Sequence, residues 1–116
     1  MKPIIVTLCG STKFKDEFVK QNFNETLAGK IVLSIGCDMK SDDELFGHMP
    51  DEQFDEIKRN LDDLHKRKID ISDEVLILNV GGYIGKSTQS ELDYAIVQGK
   101  KIRYLESENK PLKPDA

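Results

Sequence analysis

Basic residues are in the minority: 17 lysines and arginines stand against 21 aspartates and glutamates, a net charge of −4. With no basic stripe to offset that balance, a nucleic-acid polymer is not an expected partner. No apolar run approaches the ~18 residues of a membrane span. The first residues also lack the charged-then-apolar order of a signal segment, so no membrane is expected. Cysteine is scarce, with only Cys9 and Cys37. Their positions near the ends of the first two predicted strands suggest buried, reduced thiols in a cytoplasmic protein. Together with His48 and His65 they could hold a metal, but neither a C-x-x-C nor an H-x-x-x-H spacing is present. Neither metal nor other cofactor is expected, and the chain has no internal repeat.

What is there is ordinary globular material. Hydrophobic residues make up 38% and charged ones 33% of 116 residues, which fits one domain with one core. Strand and helix patterns alternate along it. Pro3 to Leu8 is apolar and β-branched, predicting a first strand that runs into Cys9-Gly10-Ser11-Thr12. Phe14, Phe18, Phe23 and Leu27 then recur near helical spacing, and the phenylalanines are expected in the core. Asp16 and Glu17 lie in that helix's first turn, where the dipole favours acid, and Gly29 ends it. Ile31 to Ile35 reads as the second strand. After Pro50, an amphipathic segment sets Phe54, Ile57, Leu61 and Leu64 on one face. Glu74 to Asn79 is predicted as the third strand, Thr88 to Gln98 as the last helix and Lys101 to Leu105 as the last strand. The domain is therefore 1–105, and residues 106–116, with two prolines and many charges, are expected to fray.

Strands separated by helices predict a parallel sheet with right-handed crossovers. The expected fold is α/β: a flavodoxin-like, Rossmann-like three-layer sandwich of about four parallel strands in the order 2-1-3-4, with helices on both faces. Such sheets bind ligands beyond the carboxyl ends of the strands, where the order reverses, here between strands 1 and 3. Two loops meet there. One is Gly10-Ser11-Thr12-Lys13. The other, Gly81-Gly82-Tyr83-Ile84-Gly85-Lys86-Ser87-Thr88, is a glycine-rich turn into a helix start, an arrangement that aims backbone N–H groups at an anion. Gly10, Ser11, Thr12, Lys13, Gly82, Tyr83, Gly85, Ser87 and Thr88 are thus candidate substrate contacts, and Glu91 sets a carboxylate beside them. Gly85-Lys86-Ser87 is not a P-loop, because the glycine required five residues before Gly85 is Val80. A long connection, residues 36–50, leaves strand 2 beside this place. It reads either as a lid, with Phe46 and Met49 to cover a base, or as a solubilising loop.

Three segments carry a resemblance: Leu8-Cys9-Gly10-Ser11-Thr12, the strand Ser72-Asp73-Glu74-Val75-Leu76-Ile77-Leu78-Asn79, and Ser87-Thr88-x-x-Glu91-Leu92-x-Tyr94-Ala95. They resemble nucleoside 2-deoxyribosyltransferases and the related nucleotide N-hydrolases, as does Gly99-Lys100-Lys101-Ile102 before the last strand. The resemblance implies cleavage or exchange of the N-glycosidic bond of a nucleoside or nucleotide, with Glu91 attacking the anomeric carbon. It also implies a homodimer or higher homo-oligomer. His65 stands where the family usually has an aspartate on the preceding helix, and is the candidate acid. Gly85 stands where the transferases tend to have another aspartate. Lys86, Ser87, Ser11 and Lys13 tilt the reading toward a 5′-phosphate.

Plainer readings stand beside these. Thr88-Gln89-Ser90-Glu91 fits a capping box, in which the glutamate only closes its own helix. Ser11 and Thr12 suit a helix N-cap. The rival function is a non-catalytic nucleotide-binding or sensing module, and a further one is an interaction subunit using its edge strands.

Overall fold

The structure is a computed structural model and describes residues 2–35 and 50–106. Four strands, β1 (Ile5–Cys9), β2 (Ile31–Leu33), β3 (Glu74–Ile77) and β4 (Lys101–Tyr104), form one sheet in the order β2-β1-β3-β4, and every pairing is parallel. Among the described residues, three α-helices accompany them: α1 (Lys15–Leu27), α2 (Asp51–Asp70) and α3 (Lys86–Val97). This is the flavodoxin-like α/β arrangement that the alternation predicts.

Register decides what meets at the carboxyl edge. Cys9 pairs with Ile77, and Ile77 with Tyr104, so the last residues of three strands stand in a row. The pleat divides the core between the two faces. Cys9, Val75 and Ile77 pack with Ile69 of α2 and with Leu92 and Ala95 of α3, whereas Val6, Leu8, Leu76 and Leu78 pack with Phe18 of α1. Cover on both faces is why Val6 to Cys9 is buried without alternation.

Two helices stop in the same way. Gly29 and Gly99 adopt φ of 86° and 75°, the left-handed region. The Gly29 and Lys30 N–H groups donate to the Thr26 and Glu25 carbonyls, and those of Gly99 and Lys100 to Ile96 and Ala95. That paired closure satisfies carbonyls left open at a helix end. The repeated Gly-Lys therefore drops the chain straight into β2 and into β4. Lys30 also joins an ionic cluster on the α1 face: its Nζ lies 2.9 Å from Glu74 and 3.2 Å from Glu25, and Arg103 bonds both carboxylates.

Several expectations need correction. The strands and the last helix are displaced from their predicted bounds, most consequentially at α3, which begins at Lys86 rather than Thr88. Of the phenylalanines expected in the core, Phe18 is buried and Phe14 half-buried, while Phe23 is exposed at 63%; Leu27, on the same spacing, is exposed at 70%. Glu25 is turned inward to Arg103 and Lys30, so the buried stripe of α1 runs through Phe18, Gln21 and Glu25 instead. Leu61 and Leu64 of α2 are also largely exposed, and His65 and Ile69 are buried. Polar ties fix that rotation: Ser72 Oγ donates to the Lys68 carbonyl at 2.8 Å, and Lys68 Nζ to the Ser34 carbonyl at 2.6 Å.

Glu106, expected to fray, is held: its main chain exchanges bonds of 2.8 and 2.9 Å with the Asn79 side chain. Residues 107–116 lie outside the described residues, as do residues 36–49 with Cys37, Phe46, His48 and Met49. Among the described residues, no helix is long and apolar enough to cross a membrane.

Candidate functional site

Three side chains converge at the carboxyl edge of the sheet from separate elements. Cys9 is the last residue of β1, and its place in the pleat turns it toward α2 and α3. His65 lies in the C-terminal half of α2, and Glu91 in the second turn of α3. His65 Nε2 is 3.4 Å from Cys9 Sγ and 3.8 Å from Glu91 Oε1. The Cys9 thiol also lies beside the Glu91 carboxylate, with the ligand atoms of all three residues within 4.8 Å of one another.

The early start of α3 changes what Glu91 does. Gly85 is the N-cap, its carbonyl takes the Gln89 N–H at 2.8 Å, and no side chain caps the helix. Thr88 sits inside the first turn and is buried. The capping-box reading therefore fails, and the Glu91 carboxylate is left to the interior edge.

Burial sets the protonation of the cluster. The Glu91 side chain is 13% exposed. Desolvation pushes its pKa up to about 7; the neighbouring Cys9 thiol works against this, Asp62 adds to it, and Lys66 and Lys58 oppose it. Desolvation lowers His65 to about 4; Lys68 adds to this, and a hydrogen bond to the Leu8 main chain opposes it. The ring is therefore neutral at neutral pH, and its approach to Glu91 is not an ion pair. An imidazolium acid, the role that its ordinary pKa range invited, does not fit that state. Burial, followed by the Glu91 charge, pushes the Cys9 thiol well up, so it stays protonated.

The two expected loops do meet. Lys13 Nζ lies 3.6 Å from the centroid of the Tyr83 ring, which also meets Phe14 edge-on at 5.8 Å. Lys13 thus rests on an aromatic face. Ser11 Oγ accepts the Lys13 N–H at 3.3 Å, but the N-cap of α1 is Phe14, so neither Ser11 nor Thr12 caps that helix. Gly10 has a packing reason to be glycine: a Cβ there would lie 3.0 Å from Leu78 Cβ. Gly82 adopts φ 84° in the turn after β3. At Gly85 a Cβ would lie 3.1 Å from the Tyr83 hydroxyl. Thr12 and Ser87 are exposed. Three amides of the glycine turn are already used: Gly81 N–H donates to the Glu106 carboxylate at 2.6 Å, and the Gly82 and Tyr83 N–H groups donate to the Asn79 and Val80 carbonyls at 2.8 and 3.1 Å.

Sequence reasoning selected Glu91 and His65 but left Cys9 as a buried thiol. The available signal was positional: in a 2-1-3-4 sheet, the last residue of strand 1 stands at the switch point. As assembled, the cluster offers a half-ionised carboxylate, a neutral imidazole and a thiol, suited to nucleophilic attack, proton transfer or cation binding. The chain matches no family model, no curated protein and no solved structure.

Proposed function

We propose that the protein cleaves or exchanges the N-glycosidic bond of a nucleoside or deoxynucleoside, or of its 5′-monophosphate, through a covalent glycosyl–Glu91 intermediate. The observation that carries this reading is the Glu91 carboxylate. It stands at the carboxyl edge of the sheet, has no capping duty, and has a pKa of about 7. A surface carboxylate is fully ionised and solvated, whereas this one is partly dry and still ionised in a large fraction at neutral pH, which suits a nucleophile.

In the first step a Glu91 oxygen bonds to the anomeric carbon and the C–N bond breaks. The bonding pair leaves with the base, which takes a proton from water. In the second step water, or an acceptor base, attacks the same carbon, frees Glu91 and loses its proton to solvent. His65, held neutral, lies against both Cys9 and Glu91 and supplies no proton to the leaving base. The open first turn of α3 lies about 7.5 Å along the helix from Glu91, at 1.5 Å per residue from Lys86. A pentose can lie between that anion-attracting turn and the carboxylate. The Lys13–Tyr83 stack forms the rim. The resemblance of residues 8–12 and 87–95 to deoxyribosyltransferases supports the same chemistry. Exposed Leu61 and Leu64, about one turn apart on α2, support self-association through that helix.

A second reading, nucleotide binding without cleavage, is favoured by the neutrality of His65, which leaves the cluster without a general acid. Free-base release from a panel of nucleosides and 5′-monophosphates, with and without an acceptor base, tests the two. Release that disappears in folded Glu91→Gln is expected. Saturable nucleotide binding with no release from any substrate would refute cleavage in favour of the second reading.

A further inference from the structure

We propose that Cys9, His65 and Glu91 together bind one thiophilic divalent cation of the zinc type. Their ligand atoms (thiol sulfur, ring nitrogen and carboxylate oxygen) all lie within 4.8 Å of one another. Two of the edges are 3.4 Å, Sγ to Nε2, and 3.8 Å, Nε2 to Oε1. A tetrahedral zinc, with bonds of ~2.3 Å to sulfur and ~2.1 Å to nitrogen and oxygen, sets edges of roughly 3.3–3.6 Å between its ligands. Two of the three edges are therefore within a few tenths of an ångström of a coordination triangle, and the third, from Sγ to the carboxylate, is within 4.8 Å.

The donor set selects the class of metal. Thiolate and imidazole favour zinc and cobalt over magnesium or calcium, which take oxygen ligands. Charge agrees: a thiolate and a carboxylate cancel a divalent cation, so the loaded site is neutral where solvent is scarce. The His65 ring is also tied to the Leu8 main chain, the kind of outer bond that steadies a metal-bound imidazole. Each ligand stands on a different element, β1, α2 and α3, so the cation would pin both helices to the sheet. Three protein ligands leave a fourth position for water or a substrate atom.

Binding of the cation does not depend on the glycosidic reading, but one consequence does. With the metal in place, the Glu91 oxygen is a ligand and not a nucleophile, so zinc would inhibit base release.

The test uses Co²⁺ and Zn²⁺ with the full chain, first stripped by a chelator. One Co²⁺ per chain is expected, with a sulfur-to-cobalt charge-transfer band that Zn²⁺ abolishes. Cys9→Ser should remove the band, and Glu91→Gln should weaken Zn²⁺ binding by at least the ~10-fold that loss of even an outer-shell partner costs. No band, or a band that persists in Cys9→Ser, would overturn the site. If Cys9→Ser does not fold, alkylation of Cys9 in the unaltered chain, mapped by mass spectrometry, gives the answer. Zn²⁺ should slow it at least tenfold, and equal rates would overturn the proposal. Base release is then assayed in chelator: its absence beside an intact band would overturn the glycosidic reading alone.

Discussion

Replacing Glu91 with glutamine is expected to stabilise the protein above neutral pH, although Glu91 is the proposed nucleophile. Its pKa rises from an ordinary 4.5 to about 7 in the fold. Where the folded value is the higher one, the folded state binds more protons, so stability is fully present below the unfolded pKa and is lost as pH rises through the folded one. The loss approaches about 3 kcal/mol above pH 7, at ~1.36 kcal/mol for each pH unit between the two values. Most of it, roughly 2–3 kcal/mol, falls between pH 5 and 8. Glutamine keeps the shape and cannot ionise. The assay is urea unfolding of the unaltered chain and Glu91→Gln in chelator at both pH values. Titration of all other groups cancels when the two differences are compared. The variant should gain about 2 kcal/mol relative to the unaltered chain on going from pH 5 to pH 8. A capping glutamate would behave otherwise, its removal costing about 1 kcal/mol at either pH. A difference that does not change with pH, or that moves against the variant at high pH, would refute the burial argument.

Two more predictions concern the scaffold. Gly10→Ala places a methyl 3.0 Å from Leu78 Cβ and 3.4 Å from the Leu78 carbonyl oxygen, with backbone rather than a flexible tip in the way. A loss of about 1–3 kcal/mol is expected, read as a lower Tm, and an unchanged Tm would refute the close approach. At Glu74, burial pushes the pKa up, but Lys30 and Arg103 outweigh it and hold the carboxyl below its usual value. That contribution is present above the ordinary pKa and disappears as pH falls through the folded one. Glu74→Gln should therefore flatten the acid side of the stability curve, whereas Arg103→Met should cost about 3 kcal/mol at neutral pH. Thermal melts from neutral pH downward check both.

The sheet was legible because its signals are local and agree with one another: apolar β-branched runs, and a Gly-Lys after the helices that precede β2 and β4. The helix faces were less legible. Leu61 and Leu64 carry the apolar periodicity of α2, yet side-chain bonds from Lys68 and Ser72 rotate His65 and Ile69 inward. On α1, a buried glutamate paired with Arg103 outranks two exposed apolar side chains. The start of α3 was missed because Thr88 to Glu91 spells a capping box, while Gly85 caps with its carbonyl alone. Glu91 could be chosen from its place after a glycine-rich turn. Its contact with Cys9 spans 82 positions of the chain and needs the strand order before it can be seen.

The anchoring of Glu106 to Asn79 and Gly81 fixes residue 106 against the turn after β3. That point is beside the candidate site, on the carboxyl edge of the sheet. Residue 5, tied to Asp73, marks the opposite edge, about 16 Å away over five residues of strand. A fluorophore attached at residue 106 would thus be delivered beside the candidate site, where it can report on a ligand or obstruct it. The same label attached ahead of β1 would hang from the far side and leave the site clear.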